Sequence, residues 1–286
     1  MLYKPSPGLS YDRANNKKFK HILEKNQKLR GAESTQRILM AWSVRFQINA
    51  MKIITWNCNM AFRKKAAIIL QHKPDILIVP ECEHPDKLEF PKGVKKPTST
   101  LWFGDNFNKG LGIFSYGHFS LKQLETYNPL LRLIIPVTVT GRNRNFLLYA
   151  IWAYNPKDPD GTYVAQVWKA IAHYDQLISD KLTFLIGDFN SNTIWDKKRR
   201  ISNHSDVVKR LEEKGIFSCY HFHYKQEQGK ELHPTYYLYR HKDKPYHIDY
   251  CFASQDIIKQ IRNVEIGEYE YWSAYSDHVP VIITIK

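Results

Sequence analysis

The chain has 286 residues, 43% of them hydrophobic and 24% charged, which is enough to bury a large core in one domain or two small ones. No apolar stretch reaches the ~18 to 20 residues of a membrane span, and the first residues lack the apolar region of a secretory signal. The four cysteines, Cys58, Cys82, Cys219 and Cys251, show neither CxxC pairs nor the spacing of a disulfide framework. These features exclude membrane-spanning and disulfide-stapled classes, and we expect a reduced, cytoplasmic protein.

The net charge of +14 favours a polyanionic partner such as nucleic acid. Residues 1–50 carry ten Lys or Arg and three Asp or Glu, so +7 lies there and residues 51–286 carry the other +7. The first segment is either a basic arm that contacts nucleic acid or sequence upstream of a true start at Met51. In both cases we expect residues 1–50 to be a poorly ordered extension and residues 51–286 to form the folded domain.

From Met51 onward, strands alternate with helices. The predicted strands cover Lys52–Asn57, Asp75–Pro80, Thr100–Phe103, Gly112–Tyr116, Leu131–Thr138, Asn145–Tyr154, Leu182–Ile186, Ile216–Tyr224, Pro234–Tyr239, His247–Ala253 and Val279–Ile285. The predicted helices of this part cover Phe62–His72, Tyr163–Ile178 and Asp206–Lys214, the last with Ser205 as its N-cap. Ten or more strands with a few helices in one unbroken body predict a layered α/β sandwich.

Polar side chains stand at one end of six of these strands. After the Leu182–Ile186 strand, Asp188 and Asn190 should project to the same side, because side chains two residues apart on an extended backbone point the same way. Phe189 should then turn into the core. The other polar groups are Asn57 with Asn59, Glu81, Trp152 with Tyr154, His247 with Asp249, and Asp277 with His278. Strand ends are rigid mounts for chemistry, so the six groups predict a functional site.

The order and spacing of these residues resemble the endonuclease/exonuclease/phosphatase superfamily. The resemblance covers Met51 to Lys286 and rests on Trp56-Asn57, Pro80-Glu81, Tyr154, Gly187-Asp188-Phe189-Asn190, Ile248-Asp249-Tyr250 and Ser276-Asp277-His278. It implies a four-layer α/β sandwich, in which two packed mixed β-sheets are flanked by helices. It also implies a metal-dependent hydrolase that acts on phosphoester bonds.

The resemblance implies a metal site built on Glu81, completed or shaped by Asn57 and Asp277. Phosphoester cleavage needs a cation to offset the charge that develops on the phosphate, and these oxygen ligands suit Mg²⁺, with Mn²⁺ as the alternative. Asn59 departs from the family pattern, because several nuclease relatives carry Asp at this place. We therefore do not include Asn59 among the predicted ligands.

The implied catalytic residues are Asp188, Asn190, His278, Asp249 and Tyr154. Asp188 would orient and deprotonate the attacking water, and Asn190 would fix water or phosphate. His278, oriented by the carboxylate of Asp249, would donate hydrogen bonds to the scissile phosphate. Tyr154 would act as a further donor to the phosphate.

A basic run and several rings indicate a nucleic-acid substrate. Lys197, Lys198, Arg199 and Arg200 form either a phosphate-contacting patch or a solvated basic loop. Trp195, Tyr236 and Tyr237 could stack on bases or sugars. We expect a monomeric nuclease for DNA or RNA. The alternatives are an enzyme for a small nucleotide, inositol phosphate or lipid head group, and a nucleic-acid-binding module that has lost catalysis.

The His-rich tract allows a second hypothesis, a zinc site. Cys219, His221 and His223 alternate along one predicted strand face, and His233, His241 and His247 follow. Their spacing fits none of the common zinc patterns with tight ligand pairs. The same alternation is equally that of a half-exposed strand.

Overall fold

The computed structural model describes residues 50–90, 92–154, 163–180 and 182–286. Its strands are β1 (Met51–Thr55), β2 (Ile76–Cys82), β3 (Ser99–Asn106), β4 (Lys109–Ser115), β5 (Ser120–Gln123), β6 (Ile134–Gly141), β7 (Arg144–Trp152), β8 (Thr183–Asp188), β9 (Ile216–Ser218), β10 (Tyr236–Tyr237), β11 (Pro245–Tyr246), β12 (Asp249–Ser254), β13 (Ile261–Ile266) and β14 (Val281–Ile285). The predictions made for residues 1–49 lie outside this part of the chain.

The α-helices of the same ranges are short. They are α1 (Ala66–Ile69), α2 (Val164–His173), α3 (Asp175–Asp180), α4 (His204–Glu212), α5 (Cys219–Tyr224), α6 (Gln255–Ile258) and α7 (Tyr269–Trp272). Over the described residues, none of these helices has the length and apolar character needed to cross a lipid bilayer.

Two six-stranded sheets organise residues 51–286. The first has the strand order β13-β14-β1-β2-β4-β3 and the second β5-β6-β7-β8-β12-β9, while β10 and β11 form a separate two-stranded ribbon. Each large sheet contains one parallel pair, β1 with β2 and β7 with β8, among antiparallel neighbours. Both sheets are therefore mixed, as predicted.

The continuous apolar character of the central strands reflects burial on both faces. In β2, Ile76 and Ile78 belong to the core between the two sheets, whereas Leu77 and Val79 face the opposite layer. This alternation follows from the two-residue period of a strand, and it explains why the run shows no polar positions. Each fully buried side chain of this size contributes about 1.5–3 kcal/mol.

Helices and turns cover the outer faces of both sheets and complete four layers. On the second sheet, the apolar sides of α2 and α4 pack against residues of β7 and β8. On the first sheet, the segment 62–72 and Trp272 of α7 cover residues of β1 and β2. The predicted four-layer α/β sandwich is confirmed.

The predicted strand Ile216–Tyr224 is wrong beyond Ser218. The Ser218 hydroxyl accepts a hydrogen bond from the His221 backbone N–H (3.4 Å) and so caps α5, which turns the chain into a helix. Cys219, His221 and His223 therefore do not share a strand face. His221 instead pairs with Glu231 through Nε2 at 3.0 Å, and no metal-like cluster forms from these residues within the described chain. The zinc hypothesis loses its geometric basis.

Helix boundaries also differ from the predictions. Phe62–His72 divides into α1 and two flanking 3₁₀ turns, and Tyr163–Ile178 divides into α2 and α3. The N-cap of α4 is Asn203 rather than Ser205. The backbone N–H of Asn203 donates to the Asp206 carboxylate at 2.9 Å, which is half of a capping box. Strands β5, β11 and β13 were not predicted.

Candidate active site

Two buried carboxylates lie side by side on neighbouring strands of the second sheet. The antiparallel register of β8 and β12 places Asp188 directly opposite Asp249, and their exposed fractions are 0% and 1%. Burial and the negative charge of Asp249 raise the pKa of Asp188 to about 7. Asp188 is therefore poised to gain or lose a proton near neutral pH.

Three N–H groups fix the orientation of the Asp188 carboxylate. Oδ2 accepts from Asn57 Nδ2 (3.0 Å) and from Asn190 Nδ2 (3.1 Å), and Oδ1 accepts from the Asn190 backbone N–H (2.9 Å). Asn190 is left-handed (φ +48°), a conformation that asparagine tolerates, so its side chain folds back onto Asp188 instead of projecting parallel to it. The predicted burial of Phe189 is confirmed, with 0% exposure.

His278 carries the positive charge that compensates the two acids. Its Nδ1 donates to Asp249 Oδ2 at 2.8 Å, and the ring is buried. Burial alone would lower the pKa of His278. The charge and hydrogen bond of Asp249, with smaller contributions from Asp188 and Asp277, outweigh burial and raise that pKa to about 10. His278 is thus an imidazolium at neutral pH, and Nε2–H is the donor that Asp249 does not use.

The backbone around His278 is held by Ser276 of its own segment and by the residues that follow β1. Trp56 Nε1 donates to the His278 carbonyl oxygen (3.0 Å), and the His278 N–H donates to Ser276 Oγ (3.1 Å). Ser276 Oγ in turn donates to the Asn57 carbonyl oxygen (2.8 Å). The residues around the end of β1 and those before β14 are thereby tied together, which explains why Trp56 and Ser276 belong to the motifs.

Glu81 reaches the site from a β-bulge. The register of β2 and β4 shifts between Pro80 and Cys82, which leaves Glu81 as the extra residue with φ +62°. A bulge re-aims a side chain, and here it brings Glu81 Oε1 to 3.2 Å from Lys109 Nζ. Lys109 was not predicted as a site residue, because the contact joins residues on neighbouring strands and no local pattern marks it.

Asn59 links the other two predicted metal ligands. The Asn59 backbone N–H donates to Asn57 Oδ1 (3.0 Å), and Asn59 Nδ2 donates to Asp277 Oδ1 (2.8 Å). An aspartate at position 59 could not donate to Asp277, because an ionised carboxylate only accepts hydrogen bonds. The departure from the family pattern thus has a definite structural role, and Glu81, Asn57 and Asp277 stay predicted ligands.

The donors of the site fit a hard divalent cation. Asp188, Asp249 and His278 each offer a ligand atom within 4.8 Å of the others. Among the described residues, Asp249 Oδ1 is one of the buried side-chain atoms without a hydrogen-bond partner, so it can accept a hydrogen bond or contact a cation. His278 differs from the two acids, because as an imidazolium it donates to Asp249 and has no free lone pair for a metal. Oxygen atoms of the site therefore fit a hard cation, and His278 acts as a hydrogen-bond donor.

Tyr154 and Glu81 both lie close to the ammonium group of Lys109. Its ring stacks on Trp152 with centroids 4.9 Å apart. Lys109 Nζ lies 5.1 Å from the Trp152 ring centroid and 5.5 Å from that of Tyr154. The predicted catalytic role of Tyr154 remains a prediction.

A row of rings leads from the surface to His278. Trp195, 41% exposed, lies 5.0 Å from Tyr246, which lies 6.4 Å from Tyr236, and Tyr236 lies 4.6 Å from the His278 ring. Burial and the charges of Asp277 and Asp188 raise the pKa of Tyr236 to about 12, so its phenol keeps its proton. Tyr246 was not predicted, because its position depends on the β10–β11 ribbon.

Two of the predicted substrate contacts have structural roles. Tyr237 is buried with 8% exposure in the core on the outer side of the first sheet, so the prediction that it stacks on substrate is wrong. Arg200 is half-buried, and its Nε donates to Asn203 Oδ1 at 3.0 Å at the start of α4. Lys197, Lys198 and Arg199 are exposed, in agreement with both interpretations of the basic run.

The Asp249–His278 pair predicts a shifted imidazole titration. We expect His278 to keep its proton up to pH about 10 and Asp249→Asn to lower the pKa of His278, because the largest contribution that opposes burial is then lost. Nitrogen-15 NMR of the imidazole against pH measures this. Glu231→Gln, which removes a carboxylate from His221, should leave His278 unchanged. An ordinary pKa for His278 in the wild-type protein would contradict the assignment.

Three solved structures share this fold over most of their length. The endonuclease domain of TRAS1, a telomere-specific non-LTR retrotransposon, is 18% identical, with a TM-score of 0.55 and coverage of 83% of this chain and 98% of its own. An AP endonuclease from Archaeoglobus fulgidus is 16% identical, with a TM-score of 0.58 and coverage of 82% and 99%. The 3′ phosphatase NExo from Neisseria, bound to product DNA hairpin, is 19% identical, with a TM-score of 0.55 and coverage of 82% and 99%. At these identities the likeness shows the fold alone.

Sequence comparison gives the family directly. A search of curated proteins finds no match to the chain. The profile described as "Endonuclease/Exonuclease/phosphatase family" matches residues 54–278, which includes every strand end of the site. The chain belongs to the endonuclease/exonuclease/phosphatase family.

Proposed function

We propose that the protein is a divalent-metal-dependent phosphodiesterase that cleaves nucleic acid by attack of water on phosphorus. The observation that carries this proposal is the buried grouping of Asp188, Asp249 and His278. It combines a carboxylate with a pKa of about 7 and an imidazolium that stays charged at neutral pH. A base and a phosphate-binding cation in one site are the two protein groups that such a hydrolysis requires.

Asp188 acts as the general base in this proposal. Its pKa of about 7 matches neutral conditions, where about half of the carboxylate is ionised and the ionised form is basic enough to take a proton. Asn57 and Asn190 donate to its oxygens and hold the carboxylate in one orientation. The attacking water gives its proton to Asp188 while its oxygen forms the new bond to phosphorus. The bond from phosphorus to the leaving sugar oxygen breaks in the same displacement, and that oxygen takes a proton from solvent and departs as an alcohol.

His278 binds the phosphate through Nε2–H and stabilises the charge that grows on its oxygens. Asp249 keeps the ring protonated and oriented through the 2.8 Å hydrogen bond. A divalent cation held by the oxygens of Glu81, Asn57 and Asp277 would supply further positive charge against the phosphate. Tyr154, whose ring lies 5.5 Å from Lys109 Nζ, would add a phenolic donor to the phosphate.

Surface charge and rings support a nucleic-acid substrate. The exposed Lys197, Lys198 and Arg199 follow Trp195, the outer end of the row of rings that reaches His278. Bases of either DNA or RNA can stack on such rings, and the lysines can contact the backbone. Two of the similar structures support a nucleic-acid substrate. NExo is bound to a product DNA hairpin, and the Archaeoglobus fulgidus protein is described as an AP endonuclease. Location in the cytoplasm and a monomeric state remain predictions from the sequence.

A phosphomonoesterase is the second candidate, because one structure of this fold is described as a 3′ phosphatase. The buried carboxylate pair argues against a module that only binds nucleic acid. Holding Asp188 beside Asp249 disfavours the ionised form, and binding alone would not require that arrangement.

Replacing the base should remove activity. We expect Asp188→Asn to lower turnover by about 10²- to 10⁴-fold, the usual contribution of a general base, with EDTA abolishing turnover of the wild-type protein. Initial rates on plasmid, single-stranded DNA, RNA and a phosphate-ester panel with Mg²⁺ or Mn²⁺ measure this. Asp75→Asn is the matched control, since Asp75 is another buried carboxylate, just before β2. Full turnover in Asp188→Asn would refute the mechanism.

Neutralising the basic run should change the salt dependence. We expect a Lys197→Gln/Lys198→Gln/Arg199→Gln variant to raise the KM for polynucleotide and to reduce the slope of log(kcat/KM) against log[salt] by about 2–3, since each phosphate contact contributes about 0.9. Rates on a small phosphodiester should stay unchanged. A variant with Lys92, Lys95 and Lys96 changed to Gln loses equal charge from exposed positions. Equal effects of the two variants would show that the run is only a solvated loop.

A further inference from the structure

Lys109 holds the side chain of Glu81 at the edge of the proposed metal site. It is the first residue of β4, and its Nζ lies 3.2 Å from Glu81 Oε1. The two side chains are 31% and 18% exposed, so the pair is partly shielded from water. A partly shielded ion pair is screened less than a surface pair, and its contribution is correspondingly larger.

Two rings hold the same ammonium from another side. The stacked rings of Trp152 and Tyr154 lie under Lys109 Nζ at 5.1 and 5.5 Å. Cation–π contacts of this kind favour a charged group at that place. Lys109 is therefore localised between the predicted metal ligand Glu81 and the predicted phosphate donor Tyr154.

The bulge at Glu81 restricts where its carboxylate can lie, and so keeps it close to Lys109. With φ +62° Glu81 is in the left-handed region, which fixes where its carboxylate can reach. A divalent cation bound to that carboxylate would sit a few ångströms from Lys109 Nζ. Two positive charges at such a distance repel each other, so the ammonium and the metal compete for the same oxygen.

We propose that Lys109 is a positioning residue that neutralises Glu81 in the metal-free protein and moves to the substrate phosphate beside Tyr154 once a divalent cation binds Glu81. The proposal rests on the function proposed above and adds a coupling between metal and substrate. Lys109 opposes metal binding while it pairs with Glu81, and a substrate phosphate that binds Lys109 removes this opposition. By linkage, metal and substrate therefore strengthen each other's binding, whichever binds first.

The proposal predicts effects of opposite sign on metal and on substrate. Without substrate, Lys109→Met should bind Mn²⁺ about 10-fold more tightly, because the competing charge is gone, as measured by electron paramagnetic resonance of free Mn²⁺ on the full chain. With substrate, the same variant should raise the KM about 10-fold, because a phosphate contact is lost. Damage to the fold would weaken both, so the opposite signs separate positioning from structure.

Three further variants control the measurement. Lys87→Met removes a charge from a lysine that contacts Asn108, the neighbour of Lys109, and should change the Mn²⁺ affinity less than twofold. Glu81→Gln should weaken Mn²⁺ binding at least 10-fold. Lys109→Gln is a second neutral variant in case Lys109→Met is unstable, and it should tighten Mn²⁺ binding as well.

The outcomes are distinguishable. Unchanged or weaker Mn²⁺ binding in both neutral Lys109 variants, with Glu81→Gln still weakening it, would overturn the role of Lys109 and leave the proposed function intact. Unchanged Mn²⁺ binding in Glu81→Gln would also overturn it, because the metal would lie elsewhere. Failure of the wild-type protein to bind Mn²⁺, together with activity that resists EDTA, would overturn the metal-dependent function itself.

Discussion

The site depends on one unfavourable contact, the meeting of Asp188 and Asp249 across β8 and β12. Strand register fixes this meeting, so neither acid can move away without slipping the sheet by at least one residue, which would turn every side chain of the strand to the other face. The positive charge of the His278 imidazolium offsets the repulsion between the two buried acids. Residues from three strand ends thus balance each other's charge. This balance sets the protonation states of Asp188 and His278, on which the chemistry of the site depends.

The contribution of Asp188 and His278 to the stability of the fold depends on pH. The pKa values of Asp188 and His278 are both raised above their values in the unfolded chain, to about 7 and about 10. For each group, the stabilising contribution is fully present below the unfolded pKa and is lost as the pH rises through the folded pKa. For Asp188 this loss falls between pH 3.8 and about 7, and for His278 it falls between pH 6.5 and about 10. The metal-free fold should therefore lose stability from mildly acidic to alkaline pH, and a bound cation would offset the contribution of the acid.

Much of the fold and site follows from local pattern, and the remainder needs tertiary contacts. Apolar strands such as Ile76–Val79 and the motif around Asp188 are visible in sequence, because burial on both faces and strand-end chemistry leave periodic marks. Tyr246 and Lys109 were missed because their importance lies in contacts with residues distant along the chain. The wrong strand prediction for Cys219–Tyr224 has another cause. The aromatic-rich run favours a strand, but the Ser218 hydroxyl caps a helix there, and the helix forms instead.

The most direct test of this account is the titration of Asp188 itself. Carbon-13 NMR of labelled aspartate carboxyls, assigned with Asp188→Asn and recorded without metal, reports the pKa of Asp188 in the wild-type protein and in His278→Gln. The account predicts a value near 7 in the wild-type protein and a higher one in His278→Gln, because the compensating cation is lost. An Asp188 pKa near 4 in both proteins would contradict it, since the two acids would then not share one buried, charge-compensated site.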